Sequence, residues 1–299
     1  MDKDRFSANG PVVTDNLTGL MWTRDAALTE FPLTWQEALA YAFEMNRTGF
    51  AGYRDWHLPN RRELFSLISH CRVNPAVPEN SVFENIFNGY YWTSTSCARL
   101  PEQAWYVHLG GAKVYRGMKH ASYMVWPVRT AATPVNILKT GQQDCYDQAG
   151  QKISCKESGQ DGQLSIGRPW PDLRFIESGQ TVYDKLTGLT WTRSAAGHDH
   201  FLNWYDAIEA VKKMNREKAH GYNNWRMPDI RELESLVDLG SHSPAIEEKH
   251  PFSNVEMFYW SSTTSMYETR YAWALYLQDG AAGVGFKANS GFHLWPVRR

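Results

Sequence analysis

Apolar and polar positions along the chain fall into one order of elements that occurs twice. Two short strand-like runs flank the turn sequence Asp15-Asn16-Leu17-Thr18-Gly19 and predict an opening hairpin. Thr34 and Glu37 stand at capping-box spacing, and Leu39, Ala42 and Met45 then recur on one helical face. A second, shorter helix is predicted after Pro59, with Asn60 and Glu63 as its N-cap pair and Leu64, Leu67 and Ile68 on one side. The last third is strand-rich: Tyr90 to Thr95, Ala104 to Leu109, a Gly110-Gly111 turn, then closing strands that reach Arg129.

The same order returns 169 positions later, the distance from Trp22 to Trp191. That offset also carries Met45-Asn46-Arg47 to Met214-Asn215-Arg216, Trp56 to Trp225 and Arg62-Glu63-Leu64 to Arg231-Glu232-Leu233. Asn203 and Asp206 take the first capping positions, with Ile208, Val211 and Met214 behind them, and Asp229 and Glu232 take the second. Trp126-Pro127-Val128-Arg129 closes the first copy and Trp295-Pro296-Val297-Arg298 the second. A repeat this long closes its own core, so tandem domains are expected: residues 1–130, a linker at 131–174, and residues 175–299. The class is α+β, each copy placing two helices on a mainly antiparallel sheet. Thr133-Pro134, Gly159-Gln160-Asp161-Gly162 and Pro169-Trp170-Pro171 give the linker its turn chemistry, and Cys145 and Cys155 bracket a tight turn at Asp147-Gln148-Ala149-Gly150.

Composition narrows the function. Lys and Arg number 31 against 32 Asp and Glu, a formal charge of -1, so the basic surplus of a dedicated nucleic-acid binder is missing. Charges interrupt every apolar stretch short of the ~20 residues that a membrane span needs. Met-Asp-Lys-Asp-Arg carries no apolar export segment, so an exported protein would have its signal removed from this sequence. The 13 Trp, 15 Tyr and 13 Phe imply broad aromatic cores or exposed stacking platforms.

Thr-Gly-Leu-x-Trp, Trp-x-x-Pro-x-x-x-Glu-Leu and Trp-Pro-Val-Arg together resemble the Lcl C-terminal domain family, named after the terminal domain of a collagen-like adhesin. Trp22, Trp56, Pro59, Glu63, Leu64 and Trp126 to Arg129 carry the likeness in the first copy. Trp191, Trp225, Pro228, Glu232, Leu233 and Trp295 to Arg298 carry it in the second. The resemblance implies a C-type-lectin-like fold, one branch of which holds formylglycine-generating oxidases. It also implies adhesion through sulfated glycosaminoglycans, with a homo-oligomer compatible, since the named member's domain is trimeric.

Four cysteines allow three pairings. Cys71 falls opposite Gly240 and Cys97 opposite Ser265, and this joint absence from the second copy pairs Cys71 with Cys97 and Cys145 with Cys155. Two bridges point to an oxidising compartment, extracellular, periplasmic or at the cell surface. No Cys-x-x-Cys spacing suggests zinc, and His198-Asp199-His200, the nearest approach to a metal motif, reads as a polar loop. No nucleophile elbow, phosphate loop or His-Glu-x-x-His helix occurs, so neither an enzyme nor a cofactor is expected. Loops between late strands are where a rigid scaffold presents ligands. There the first copy holds Arg99, Lys113, Arg116, Lys119 and His120, while the second has only Lys287. The expected function is a non-enzymatic envelope or extracellular binding and adhesion module. Its partner would be an anionic, sulfated glycan or a host surface polymer, not nucleic acid. Two alternatives stand beside it: a structural envelope component, and an enzyme on the oxidase-like scaffold.

Overall fold

The computed structural model describes residues 5–79, 82–132, 135–197 and 200–299. The chain divides into two units, one ending at Pro169 and the other beginning at Trp170.

In the first unit, β1 (Phe6–Asn9), β2 (Val12–Asp15) and β3 (Leu20–Thr23) form an antiparallel meander. Strand β4 (Leu33–Thr34) leads into helix α1 (Trp35–Thr48), and α2 (Arg61–Ser66) follows. A second meander comprises β5 (Tyr90–Ser96), β6 (Gln103–His108) and β7 (Lys113–Met118). Short β8 (Ser122–Tyr123) pairs with β4, and β9 (Val128–Thr130) returns to β3, setting Trp22 opposite Val128. The chain ends of the copy are thereby joined in one sheet. Both capping boxes form, at Thr34 with Glu37 and at Asn60 with Glu63. Helix α1 packs Trp35, Ala38 and Leu39 against Trp92, Ala104 and Tyr106 of the second meander.

The second unit repeats this plan with β12 (Phe175–Ser178), β13 (Thr181–Asp184), β14 (Leu189–Thr192), α4 (Trp204–Arg216) and α5 (Ile230–Ser235). It continues with β15 (Phe258–Thr264), β16 (Tyr271–Tyr276), β17 (Ala281–Phe286) and β18 (Val297–Arg298), the last paired with β14. Asn203 caps α4, but its N3 residue is Asp206, and the reciprocal half of the box is absent because Asp is one methylene shorter than Glu. Both copies are therefore mainly antiparallel sheet with a few helices.

The repeated motifs are explained by burial. Trp22 meets Trp126 edge-on at 5.6 Å, as Trp191 meets Trp295 at 5.5 Å, and all four rings are fully buried. Asn46 accepts from the backbone N–H of Trp56 and donates to its carbonyl, and Asn215 does the same for Trp225. Arg5 pairs with Asp15 and donates to the Ser66 carbonyl; Arg174 repeats this with Asp184 and Ser235.

The segment read as a linker is a folded cover on the first copy through Pro169. Strands β10 (Cys145–Tyr146) and β11 (Lys152–Ile153) form a hairpin closed by the Cys145–Cys155 disulfide, and the one-turn helix α3 (Asp161–Leu164) follows. The reason is hydrogen bonding at the irregular end of β5. The Gln142 amide accepts from Ser96 N at 2.9 Å and donates to Ser96 O at 2.7 Å, and Thr95 donates to Asp161 at 2.7 Å. The backbone N–H and carbonyl of Ser96 are thus satisfied by the segment.

Cys71 and Cys97 are not joined. Cys71 sits on an exposed turn after α2, whereas Cys97 is buried immediately after β5. Their common absence from the second copy reflects two separate environments.

Candidate ligand-binding face

The β5–β6–β7 meander of the first copy carries a cluster of tyrosines at one end. Tyr90 lies 4.9 Å from Tyr106 and 5.1 Å from Tyr123, and Tyr106 lies 5.2 Å from Tyr123 and 6.5 Å from Tyr115. Strand alternation puts Tyr106 directly across from Tyr115. Gly117 makes room for Tyr123, because a Cβ there would meet the tyrosine hydroxyl at 2.6 Å. Tyr90 is 42% exposed while Tyr106 is buried, so the platform has a wet rim and a dry centre.

Two cations rest on this platform. Lys113 Nζ is 4.5 Å and Arg116 Cζ 4.6 Å from the Tyr115 ring centroid. Burial raises the Tyr106 phenol above its ordinary pKa, and the neighbouring phenols of Tyr123, Tyr90 and Tyr115 add to this. Burial lowers the His108 imidazole, helped by the Lys113 charge, and the ring lies tilted against Tyr90 at 4.8 Å. The face thus joins a buried phenol at Tyr106 to the cations Lys113 and Arg116 at its side.

Of the five residues expected to form a basic patch, Lys113 and Arg116 come together on Tyr115. Arg99 lies partly buried in the β5–β6 loop and His120 is exposed beyond β7. Lys119 is not a surface group: it is 1% exposed, its ammonium 4.1 Å from the Trp35 centroid, donating to the carbonyls of Tyr146 and Asp147. Burial pushes this amine down to about 7, against the pull of Asp147 and Glu102. Proximity in sequence misassigned it, since a strand end turned it inward under the covering hairpin.

The tyrosines escaped the sequence reading, although the repeat held a signal. In the second copy Phe258, Ala274, Gly283 and Phe292 stand at the positions of Tyr90, Tyr106, Tyr115 and Tyr123, and Ala281 and Val284 at those of Lys113 and Arg116. A position that is Tyr in one copy and Gly or Ala in the other is not needed by the shared core.

A second feature is a cleft of about 280 Å³ between α1 and the covering segment, lined by Leu39, Phe43, Trp56, His57, Gln163 and Ile166 among others. His57, one of the lining residues, places its Nε2 2.9 Å from Glu63 Oε1. Burial alone would lower the imidazole pKa, but Glu63 reverses this and leaves it raised. In the second copy the corresponding pair is Arg226 and Glu232, at 2.5 Å and 2.6 Å. Arginine does not exchange protons at physiological pH, so what both copies require here is positive charge beside the capping glutamate.

Among the described residues no group of three or more His, Cys, Asp or Glu side chains could hold a metal ion. His198 and Asp199 lie outside the described residues. No helix of the described residues is long and apolar enough to cross a membrane.

The model of the Lcl C-terminal domain matches residues 11–129 and again 180–298. The chain belongs to the Lcl C-terminal domain family. Each match begins in the opening hairpin and ends at the closing strand, so the covering segment lies between the two Lcl C-terminal domains. No curated protein matches the chain.

Proposed function

We propose that the protein is a non-enzymatic binding and adhesion module whose first domain takes anionic, sulfated glycans on the tyrosine face. The observation that carries this reading is the placing of Lys113 and Arg116 on Tyr115, beside the exposed ring of Tyr90. Sugar rings stack their C–H faces on tyrosine, while sulfates accept hydrogen bonds from Lys and Arg. Both interactions are available within one short stretch of β-sheet. The second domain, which has phenylalanine at the Tyr90 and Tyr123 positions, no ring at the Tyr106 and Tyr115 positions and neither cation, would not share the activity. We read each domain as C-type-lectin-like, with two helices against the late strands, and the protein as exported, a setting with which the Cys145–Cys155 disulfide is compatible. The presence of arginine at the His57 position of the second domain favours a binding role over acid–base catalysis.

Retention on immobilised heparin tests the proposal. Lys113→Glu combined with Arg116→Glu should abolish retention, and wild-type retention should fall steeply with salt, because exposed charges are screened beyond about 8 Å at physiological ionic strength. Unchanged retention in the double variant would refute it and favour the structural alternative.

A further inference from the structure

The first copy shows how a lysine standing on a tryptophan captures a hairpin. Lys119 Nζ sits over Trp35 and donates to two turn carbonyls of the disulfide hairpin, Tyr146 O at 3.1 Å and Asp147 O at 3.0 Å. The hairpin tip rests on the β5–β6 loop: a Cβ on Gly150 would meet Glu102 N at 2.8 Å. Under this cover Trp35 is fully buried.

The second copy repeats the receiving half of that arrangement. Lys287 Nζ is 4.3 Å from the Trp204 centroid, and Trp204 N donates to Lys287 O at 3.0 Å, as Trp35 N does to Lys119 O at 3.0 Å. Here the ammonium donates to Thr264 Oγ1 at 2.8 Å, and Trp204 stays partly open to solvent. Among the described residues of the second unit, no hairpin element corresponds to β10–β11. The loop matching the one under the hairpin tip instead exposes Met266 at 49% and Tyr267 at 70%, and Tyr205 beside Trp204 is 55% exposed. Lys287 itself is 8% exposed, and the exposed rings and methionine beside it are the composition of an interface core.

We propose that the Trp204–Lys287 site docks a disulfide-closed hairpin of a separate polypeptide, bound as the Cys145–Cys155 hairpin is bound at Trp35 and Lys119. Two turn carbonyls of the partner would complete the Lys287 ammonium, and its tip would cover Met266 and Tyr267. The chain's own hairpin is engaged in the first copy through Lys119, and the segment around it through Gln142 and Asp161. This site is independent of the glycan face, on which no part of the proposal rests.

The probe is a synthetic peptide of residues 142–157, oxidised at Cys145 and Cys155, titrated by calorimetry into the full chain. One peptide should bind per chain, and the reduced peptide should bind about tenfold more weakly, because an open hairpin must be ordered on binding. Lys287→Gln and, separately, the surface change Tyr267→Ser should each weaken binding by about tenfold or more. Circular dichroism melts identify a variant that fails to fold, and Tyr267→Ser, on an exposed loop, keeps the test valid in that case. Absence of binding would overturn the proposal. So would equal binding to both variants, which would mean exchange with the chain's own hairpin in the first copy. Self-association of the chain that disappears in Lys287→Gln would also overturn it, by making a second copy the occupant.

Discussion

The imidazole of His57 and the carboxylate of Glu63 form a buried pair, 2.9 Å apart, at the N-terminus of α2. Glu63 also accepts from the Asn60 N–H at 2.7 Å, so one carboxylate closes the capping box and holds the histidine. The folded state therefore favours the protonated ring. A histidine whose folded pKa is raised above 6.5 contributes stability that is complete below that value and is lost as pH rises through the folded value. The wild-type melting temperature, measured relative to that of His57→Gln, should decline as pH rises above 6.5. A constant difference across that range would contradict the assignment.

Asp161 follows the same direction for a different reason. Burial raises its carboxyl to about 6 from 3.8, with hydrogen bonds from Thr95 and Thr140 opposing the rise. The folded state holds the proton more tightly, so stability falls as pH rises from about 4 through about 6. Asp161→Asn, which remains neutral, should remove that part of the pH dependence in urea titrations.

Arg174 and Asp184 are both fully buried in the second unit. Arg174→Met would leave the Asp184 carboxylate with only local donors, among them Leu186 N and Thr187 Oγ1. A cost of about 3–5 kcal/mol is expected, since breaking a buried pair strands a charge. The loss should appear in the unfolding of the second unit, followed by hydrogen exchange of β13 and β14.

The Cys145–Cys155 bridge closes a loop of sequence separation 10, for which chain entropy gives about 3 kcal/mol. Cys145→Ser with Cys155→Ser should destabilise the first unit by up to that amount. It should also increase exposure of Trp35, which acrylamide quenching would detect. No change in either measurement would mean that the cover is held by Gln142, Gln160 and Asp161 without the bridge.

Gly285 lies beneath two rings: a Cβ would stand 2.4 Å from Phe292 and 2.5 Å from Trp260. Neither ring can yield without disturbing the core, so Gly285→Ala should cost about 1–3 kcal/mol by overpacking. Gly117→Ala meets only the Tyr123 hydroxyl end and ring edge, at 2.6 Å and 2.9 Å. It should cost less in stability while displacing Tyr123 from the tyrosine face.

The sequence by itself determined the two domains, their helices and caps, and their family, because these depend on local periodicity and on a repeat that displays each buried residue twice. Trp22 with Trp191 and Asn46 with Asn215 are visible in this way, since a shared core demands the same side chain at each place. Only the tertiary structure decided what a charged or sulfur-bearing side chain does. Lys119 and Lys113 lie on one strand and its end, yet one is buried on Trp35 and the other rests on a surface tyrosine. Cys71 and Cys97 share a pattern of absence without sharing a place. The segment after residue 134 reads as turns because its own strands and helix are two to four residues long and much of what holds it goes to β5, and such long-range satisfaction of polar groups leaves no periodic trace in sequence. The face where Tyr90, Tyr106, Tyr115 and Tyr123 meet likewise draws on four separate strands, and folding alone brings them together.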